Sequence, residues 1–255
     1  MTEAVVDSGL WIRRFHPAHN DSESLIVFPH AGGSASFFSP FSAALSPGLS
    51  VLAVQYPGRQ DRRSEKGIED IGQYADEITA ALRPHLGRPP ALYGHSMGAV
   101  LAFEVARRLE REGSAPLCLI VSGRRAPSCH RDERVHLGDD NGIVAELRKL
   151  SGTHAELLAD EEILRMILPA LRSDYTAVER YTCPPDAVVS CPVLALTGDA
   201  DIRTTPDEAR AWGRHTTGAF EYEVLSGGHF FIVDHQPRMA ALVRDFTARA
   251  AARRA

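Results

Sequence analysis

Residues 91–98 read Ala91-Leu92-Tyr93-Gly94-His95-Ser96-Met97-Gly98, and an apolar, helix-like stretch continues over 99–109. A short strand-forming run therefore meets a helix across a very tight turn. Such a turn strains the backbone of its central residue, and anything larger than glycine on either side collides with it. Gly94 and Gly98 meet that need. The turn would raise the Ser96 hydroxyl at the carboxyl end of a strand and the positive end of the following helix. As a bare string Gly-x-Ser-x-Gly arises by chance in many chains. Its place between a strand and an apolar helix gives it meaning.

Working outward, runs rich in aliphatic and β-branched residues recur at 10–15, 25–28, 51–55, 91–93, 117–122, 193–197 and 220–225. Most are continuously apolar, as expected of strands covered on both faces of a parallel sheet. Between them lie helical patterns, such as the stripe Ile68, Ile71, Ala75, Ile78 and Leu82. Alternating strands and helices predict an α/β fold over residues 1–255, a doubly wound and mostly parallel sheet flanked by helices. Residues 124–185 break the alternation. They offer a polar loop at 129–141 and helical patterns at 143–150 and from Asp160 towards Tyr181, where Pro169 predicts a kink. A helical insertion there would form a lid over the carboxyl ends of the strands, where open α/β sheets bind ligands. The Ala/Arg-rich tail 247–255 reads as a fraying helix end.

Bulk properties exclude several classes. With 44% hydrophobic residues, a chain of 255 can bury a core without disulfides or metals. A net charge of -5 gives no global reason to expect nucleic-acid binding. Residues 1–9 carry Glu3 and Asp7 and no basic residue, which does not read as a signal peptide. No apolar run approaches the roughly 20 residues that span a bilayer. Cys118, Cys129, Cys183 and Cys191 lack any C-x-x-C spacing and read as reduced thiols. The expectation is a cytoplasmic protein, a monomer with no membrane association.

A serine is a poor nucleophile until a base, itself held by a third group, takes its proton. On this architecture the chain order is serine, acid, histidine, with the last two on loops after late strands. Run 193–197 leads into Gly198-Asp199-Ala200-Asp201, and run 220–225 into Ser226-Gly227-Gly228-His229. His229 is the expected base; His235 lies in the turn or on the surface behind it. Asp199 and Asp201 are two residues apart and cannot both face the imidazole. Asp201, further out of the strand, is the expected orienting acid, leaving Asp199 to cap turn amides. An oxyanion needs two donors. One is the Met97 N–H, directly after the serine; the other is the Ala31 N–H in Pro29-His30-Ala31-Gly32-Gly33, after run 25–28.

Taken with Gln55-Tyr56-Pro57-Gly58-Arg59, nearby Arg62, the segment Leu168-Pro169-Ala170-Leu171-Arg172-Ser173-Asp174-Tyr175 and Gly227-Gly228-His229-Phe230-Phe231, these stretches resemble the type II thioesterases of the α/β-hydrolase superfamily. Those are the stand-alone editing enzymes of polyketide and nonribosomal peptide synthases. The resemblance spans nearly the whole chain. It implies a Ser96–Asp201–His229 triad and hydrolysis of acyl groups from the phosphopantetheine arm of an acyl or peptidyl carrier protein. No metal or bound cofactor is implied, because phosphopantetheine belongs to the partner. Some relatives release starter or finished chains instead of editing, and the motifs do not separate these roles.

Other residues have two readings. Arg59 and Arg62 either contact the acidic carrier or its arm, or form an ion-paired loop that braces the oxyanion strand. Leu168 and Leu171, with Ile163, Leu164 and Ile167, either line an acyl chamber or pack the lid on the core; Phe230 is a further substrate-contact candidate. The same elbow would also suit a small-molecule esterase or a cofactor-free peroxidase. A hydrolase fold serving as a non-catalytic scaffold is the reading from another class.

Overall fold

Leu25, Ile26, Val27 and Phe28 have no exposed surface at all, the state of a strand covered on both faces. They belong to β2 (Glu23–Phe28) in a computed structural model that describes residues 7–151 and 161–254. Among the described residues seven strands form one sheet. The others are β1 (Ile12–Arg13), β3 (Leu49–Val54), β4 (Ala91–His95), β5 (Cys118–Ser122), β6 (Val193–Gly198) and β7 (Phe220–Leu225). The order is β1-β3-β2-β4-β5-β6-β7, with only β1 antiparallel to its neighbour.

Alternate side chains feed two cores. Ile26, Leu52, Leu92, Leu119 and Val193 face one cluster with α3 (Ile71–Leu82) and α4 (Met97–Arg111). Leu25, Val51, Ala91, Ile120 and Leu194 face the other with α2 (Ser39–Leu45) and α9 (Gln236–Ala252). Each fully buried aliphatic side chain contributes about 1.5–3 kcal/mol relative to an exposed one. Helices on both faces therefore hold the sheet and leave its carboxyl edge to the loops.

Between β5 and β6 the described residues carry no strand of the sheet, only helical structure. This comprises a 3-10 turn at Val135–Leu137, α5 (Asp140–Ser151) and α6 (Glu161–Arg180), which continues through Pro169. Among the described residues no helix is long and apolar enough to cross a membrane. All four cysteines are free thiols, and burial pushes the Cys118 thiol up to about 12.

Three expectations need correction. Run 10–15 is not one strand. The Asp7 side chain accepts the Gly9 amide and starts a helical turn, α1 (Ser8–Trp11), leaving two residues for β1. Ile68 is buried but precedes α3, which begins where the Asp70 carboxylate accepts the Gln73 amide at 2.7 Å. The tail does not fray at 247. α9 continues to Ala252 because Thr247 and Ala250 are buried against the sheet side. The short helices α7 (Pro206–Arg210) and α8 (Phe231–Asp234) complete the set among the described residues.

Candidate active site

Ser96 sits between β4 and α4 with φ 55°, a left-handed conformation that a side-chain-bearing residue adopts only under constraint. The constraint is visible on both sides. A Cβ at Gly94 would collide with the Gly98 carbonyl, and one at Gly98 with the Phe28 carbonyl of β2. The Ser96 amide is tied to the Ser122 carbonyl at 2.8 Å, so the turn is fixed to both neighbouring strands.

The loops after β6 and β7 are laced together. Asp199 N–H donates to the Leu225 carbonyl at 2.8 Å, Ala200 N–H to the Gly227 carbonyl at 3.0 Å, and Asp199 Oδ1 accepts the Gly227 amide at 2.8 Å. This lacing carries His229 to the nucleophile. Its Nε2 lies 3.0 Å from Ser96 Oγ, and its Nδ1 lies 2.9 and 3.1 Å from the two Asp201 oxygens. Asp201 also accepts the Arg203 amide at 2.8 Å, which fixes the carboxylate. Of the two aspartates, 201 meets the imidazole and 199 holds the turn. His235 is instead bonded to Ser226 on the surface.

The Ala31 and Met97 amides line the same cleft as Ser96 and His229, and neither donates to any atom of the described residues. The loop bearing Ala31 is held from behind by a buried network. Gly32, with φ 73°, donates its amide to Asp174 Oδ2 at 2.7 Å. Asp174 Oδ1 accepts Arg59 Nη2 and the Tyr74 hydroxyl, each at 2.9 Å, and Arg59 Nη1 donates to the Gly33 carbonyl at 3.0 Å. The Tyr56 hydroxyl donates to the Pro29 carbonyl at 3.1 Å. Burial alone would push the Arg59 guanidinium down; Asp174 beside it more than reverses this. Burial, then Asp174, pushes the Tyr74 and Tyr56 phenols well up, so they remain hydroxyl donors.

That network shows the ion pairing expected by the second reading of Arg59 and Arg62, while Arg59 also lines a cavity with Gly32, Gln60 and Arg63. Arg62 is 4% exposed; it stacks on Trp11, donates to the Gln55 carbonyl at 2.8 Å and pairs with Glu65. Both guanidinium groups turn inward, where carboxylates and carbonyls accept from the Arg62 donors and from Nη1 and Nη2 of Arg59. Leu171 is likewise buried, packed on the Gly32 backbone, and Leu168 packs partly against the core. The apolar wall of the Ser96 cleft comes instead from Leu147 and Leu150 of α5, Tyr175 and Val178 of α6, and Phe230.

Two histidines missed by sequence reasoning pack beside the site, and His30 also lines the cleft. The His95 ring lies 5.2 Å from that of His229, and His30 packs edge-on to Phe230 at 4.9 Å. Burial, then the nearby His229 and Arg59 charges, lowers His30 to about 3; burial, then His229 and His30, pushes His95 well down. Both rings are neutral neighbours that do not compete with His229 for the serine proton. His95 stood in plain sight at the second position of the turn, but nothing local marks it as buried.

A base within reach of an oriented serine, opposite two unengaged amides, can form and hydrolyse an acyl-serine. Comparison with known proteins narrows the class. Residues 23–247 match the family model of a thioesterase domain. The chain is 55% identical over 235 residues to a probable cadicidin biosynthesis thioesterase of Streptomyces griseus, across 92% of this chain but 65% of that protein, just under two thirds of its length. Thioesterase PikA5 of Streptomyces venezuelae is 53% identical across 90% of this chain and 82% of its own. Among solved structures, the type II thioesterase BorB from the borrelidin biosynthetic cluster superposes with a TM-score of 0.89 at 50% identity, covering 93% of this chain and 98% of that one. With a family match running from β2 into α9 and relatives aligned along nine tenths of its length, the chain belongs to the thioesterase family, on an α/β-hydrolase fold.

Proposed function

We propose that this chain hydrolyses acyl thioesters on the phosphopantetheine arm of an acyl or peptidyl carrier protein, as an editing enzyme of polyketide or nonribosomal peptide biosynthesis. One observation carries the reading: Ser96 Oγ lies 3.0 Å from His229 Nε2, in a cleft lined by two amides with no partner among the described residues. The family and the relatives named above support the substrate class. Residues 124–185 act as the lid in this reading, since α5 and α6 supply four apolar side chains to the cleft.

His229 takes the Ser96 proton as Oγ bonds to the thioester carbon. The carbonyl electrons move to oxygen, where the Ala31 and Met97 N–H groups receive the negative charge. Collapse expels the thiolate, which leaves as a thiol with the proton from His229. Water, deprotonated by the same imidazole, then releases the acid and restores the serine. Asp201 holds the Nδ1–H tautomer and stabilises the imidazolium between steps.

The test is turnover of acyl-loaded carrier proteins against oxygen esters of the same acids, with Ser96→Ala as control. Preference for the carrier-bound thioesters, abolished by Ser96→Ala, is expected. A strong preference for free oxygen esters, or undiminished turnover by the variant, overturns the proposal.

A further inference from the structure

Arg124, just beyond β5, lines the Ser96 cleft and also a neighbouring small cavity, so it stands at their junction. Its guanidinium makes no hydrogen bond or ion pair with any described residue, although its main-chain carbonyl accepts from Trp212. The surrounding carboxylates are already engaged. Glu133 accepts from Arg125 at 3.0 Å and from Arg203 at 2.6 Å. Glu179 accepts the Val135 and His136 amides at 3.1 and 3.0 Å, and the His136 ring. Burial, then the neighbouring Arg125 charge, lowers Arg124 to about 10, so it remains a cation at neutral pH. Arg124 is only partly buried, so water meets its donors in the open cleft, and a ligand that displaces this water without supplying acceptors bears a cost. Five N–H donors in the Ser96 cleft, with no partner among the described residues, call for acceptors from a ligand that displaces that water.

We propose that Arg124 is a specificity-determining residue that selects acyl chains bearing an oxygen function, by donating hydrogen bonds to a keto, hydroxyl or carboxylate oxygen on the chain esterified to Ser96. The inference rests on the thioesterase reading above. Leu147, Leu150, Val178 and Phe230 on the same walls supply no hydrogen bond, so a saturated chain would strand the guanidinium against apolar atoms. An oxygenated chain satisfies it. A site built to donate to a substrate oxygen rejects the analogue that lacks one.

Two readouts separate this inference from the reading beneath it. Binding of the non-cleavable pantetheine amides of 3-oxohexanoic and hexanoic acid is measured by calorimetry. Wild type should bind the 3-oxo probe at least ~10-fold more tightly, and Arg124→Met should bring the two within ~3-fold. No preference in wild type, or a preference that survives Arg124→Met, overturns the role of Arg124. Turnover of the two pantetheine thioesters is measured alongside; if wild type cleaves neither while binding remains selective, the thioesterase reading fails and the selectivity stands. Arg124→Gln, checked for a native melting transition, replaces the Met variant if that one does not fold.

Discussion

The Asp174 carboxylate on α6 accepts the Gly32 amide at 2.7 Å, joining residues 142 apart in sequence. The helix that supplies Tyr175 and Val178 to the Ser96 cleft is thereby bonded to the loop that bears Ala31. The position of the Ala31 loop and the position of α6 are consequently one structural unit.

Asp174→Asn should therefore harm both stability and rate. The substitution leaves Arg59, 6% exposed, without its counter-ion, and breaking a buried pair costs about 3–5 kcal/mol. Where the variant still folds, kcat should drop at least ~10-fold, because a displaced oxyanion donor acts on the transition state more than on ground-state binding. Thermal melts and steady-state kinetics check this. A folded variant with wild-type kcat would show that the loop is held without Asp174.

The elbow separates packing from chemistry. Gly98→Ala forces a methyl into the Phe28 carbonyl of β2, a backbone atom that cannot step aside. Overpacking of this kind should cost about 3 kcal/mol. Ser96→Ala adds nothing to the turn and should melt near wild type while losing turnover. Equal melting temperatures for Gly98→Ala and wild type would contradict the collision.

The two aspartates of the β6 loop should differ sharply. An Asn at 201 presents an amide to His229 Nδ1 and favours the wrong tautomer, which in serine proteases costs roughly 10⁴ in kcat. At 199 the Asn carbonyl can still accept the Gly227 amide, so turnover should stay within about 3-fold. Kinetics on a single thioester substrate distinguish the two variants, and similar losses in both would mean that Asp201 does not orient the imidazole.

What could be read from the chain follows the range of the interactions involved. Ser96, His229 and the strands that bear them announce themselves locally, through glycine turns at the ends of apolar runs. The choice of Asp201 over Asp199 also needed only the direction of a short loop. Asp174 stood in a quoted segment, yet its link to Arg59 spans 115 residues, and no periodicity encodes a pairing between α6 and the loop after β3. The same limit left the two readings of the lid leucines open. Leu171 and Val178 lie on one amphipathic helix, and only the position of Gly32 decides that Leu171 packs on backbone while Val178 lines the Ser96 cleft. Tail residues Thr247 and Ala250 look like surface until α9 is laid on the sheet.

Acid sensitivity should trace partly to His30. Its ring is neutral in the fold, lowered to about 3 by burial first and then by the His229 and Arg59 charges, against an ordinary value of 6.5. The unfolded chain takes up that proton as pH falls below 6.5, whereas the folded chain resists until about 3. The contribution is thus fully present above pH 6.5 and is lost on acidification through that window, by up to about 1.4 kcal/mol per pH unit. His95 shifts in the same direction, so it steepens the same slope. His30→Gln removes one titrating ring and should flatten the fall in unfolding free energy between pH 6.5 and 4.5, measured by urea titration at each pH. Parallel curves for variant and wild type would mean that the His30 ring reaches solvent and titrates alike in both states.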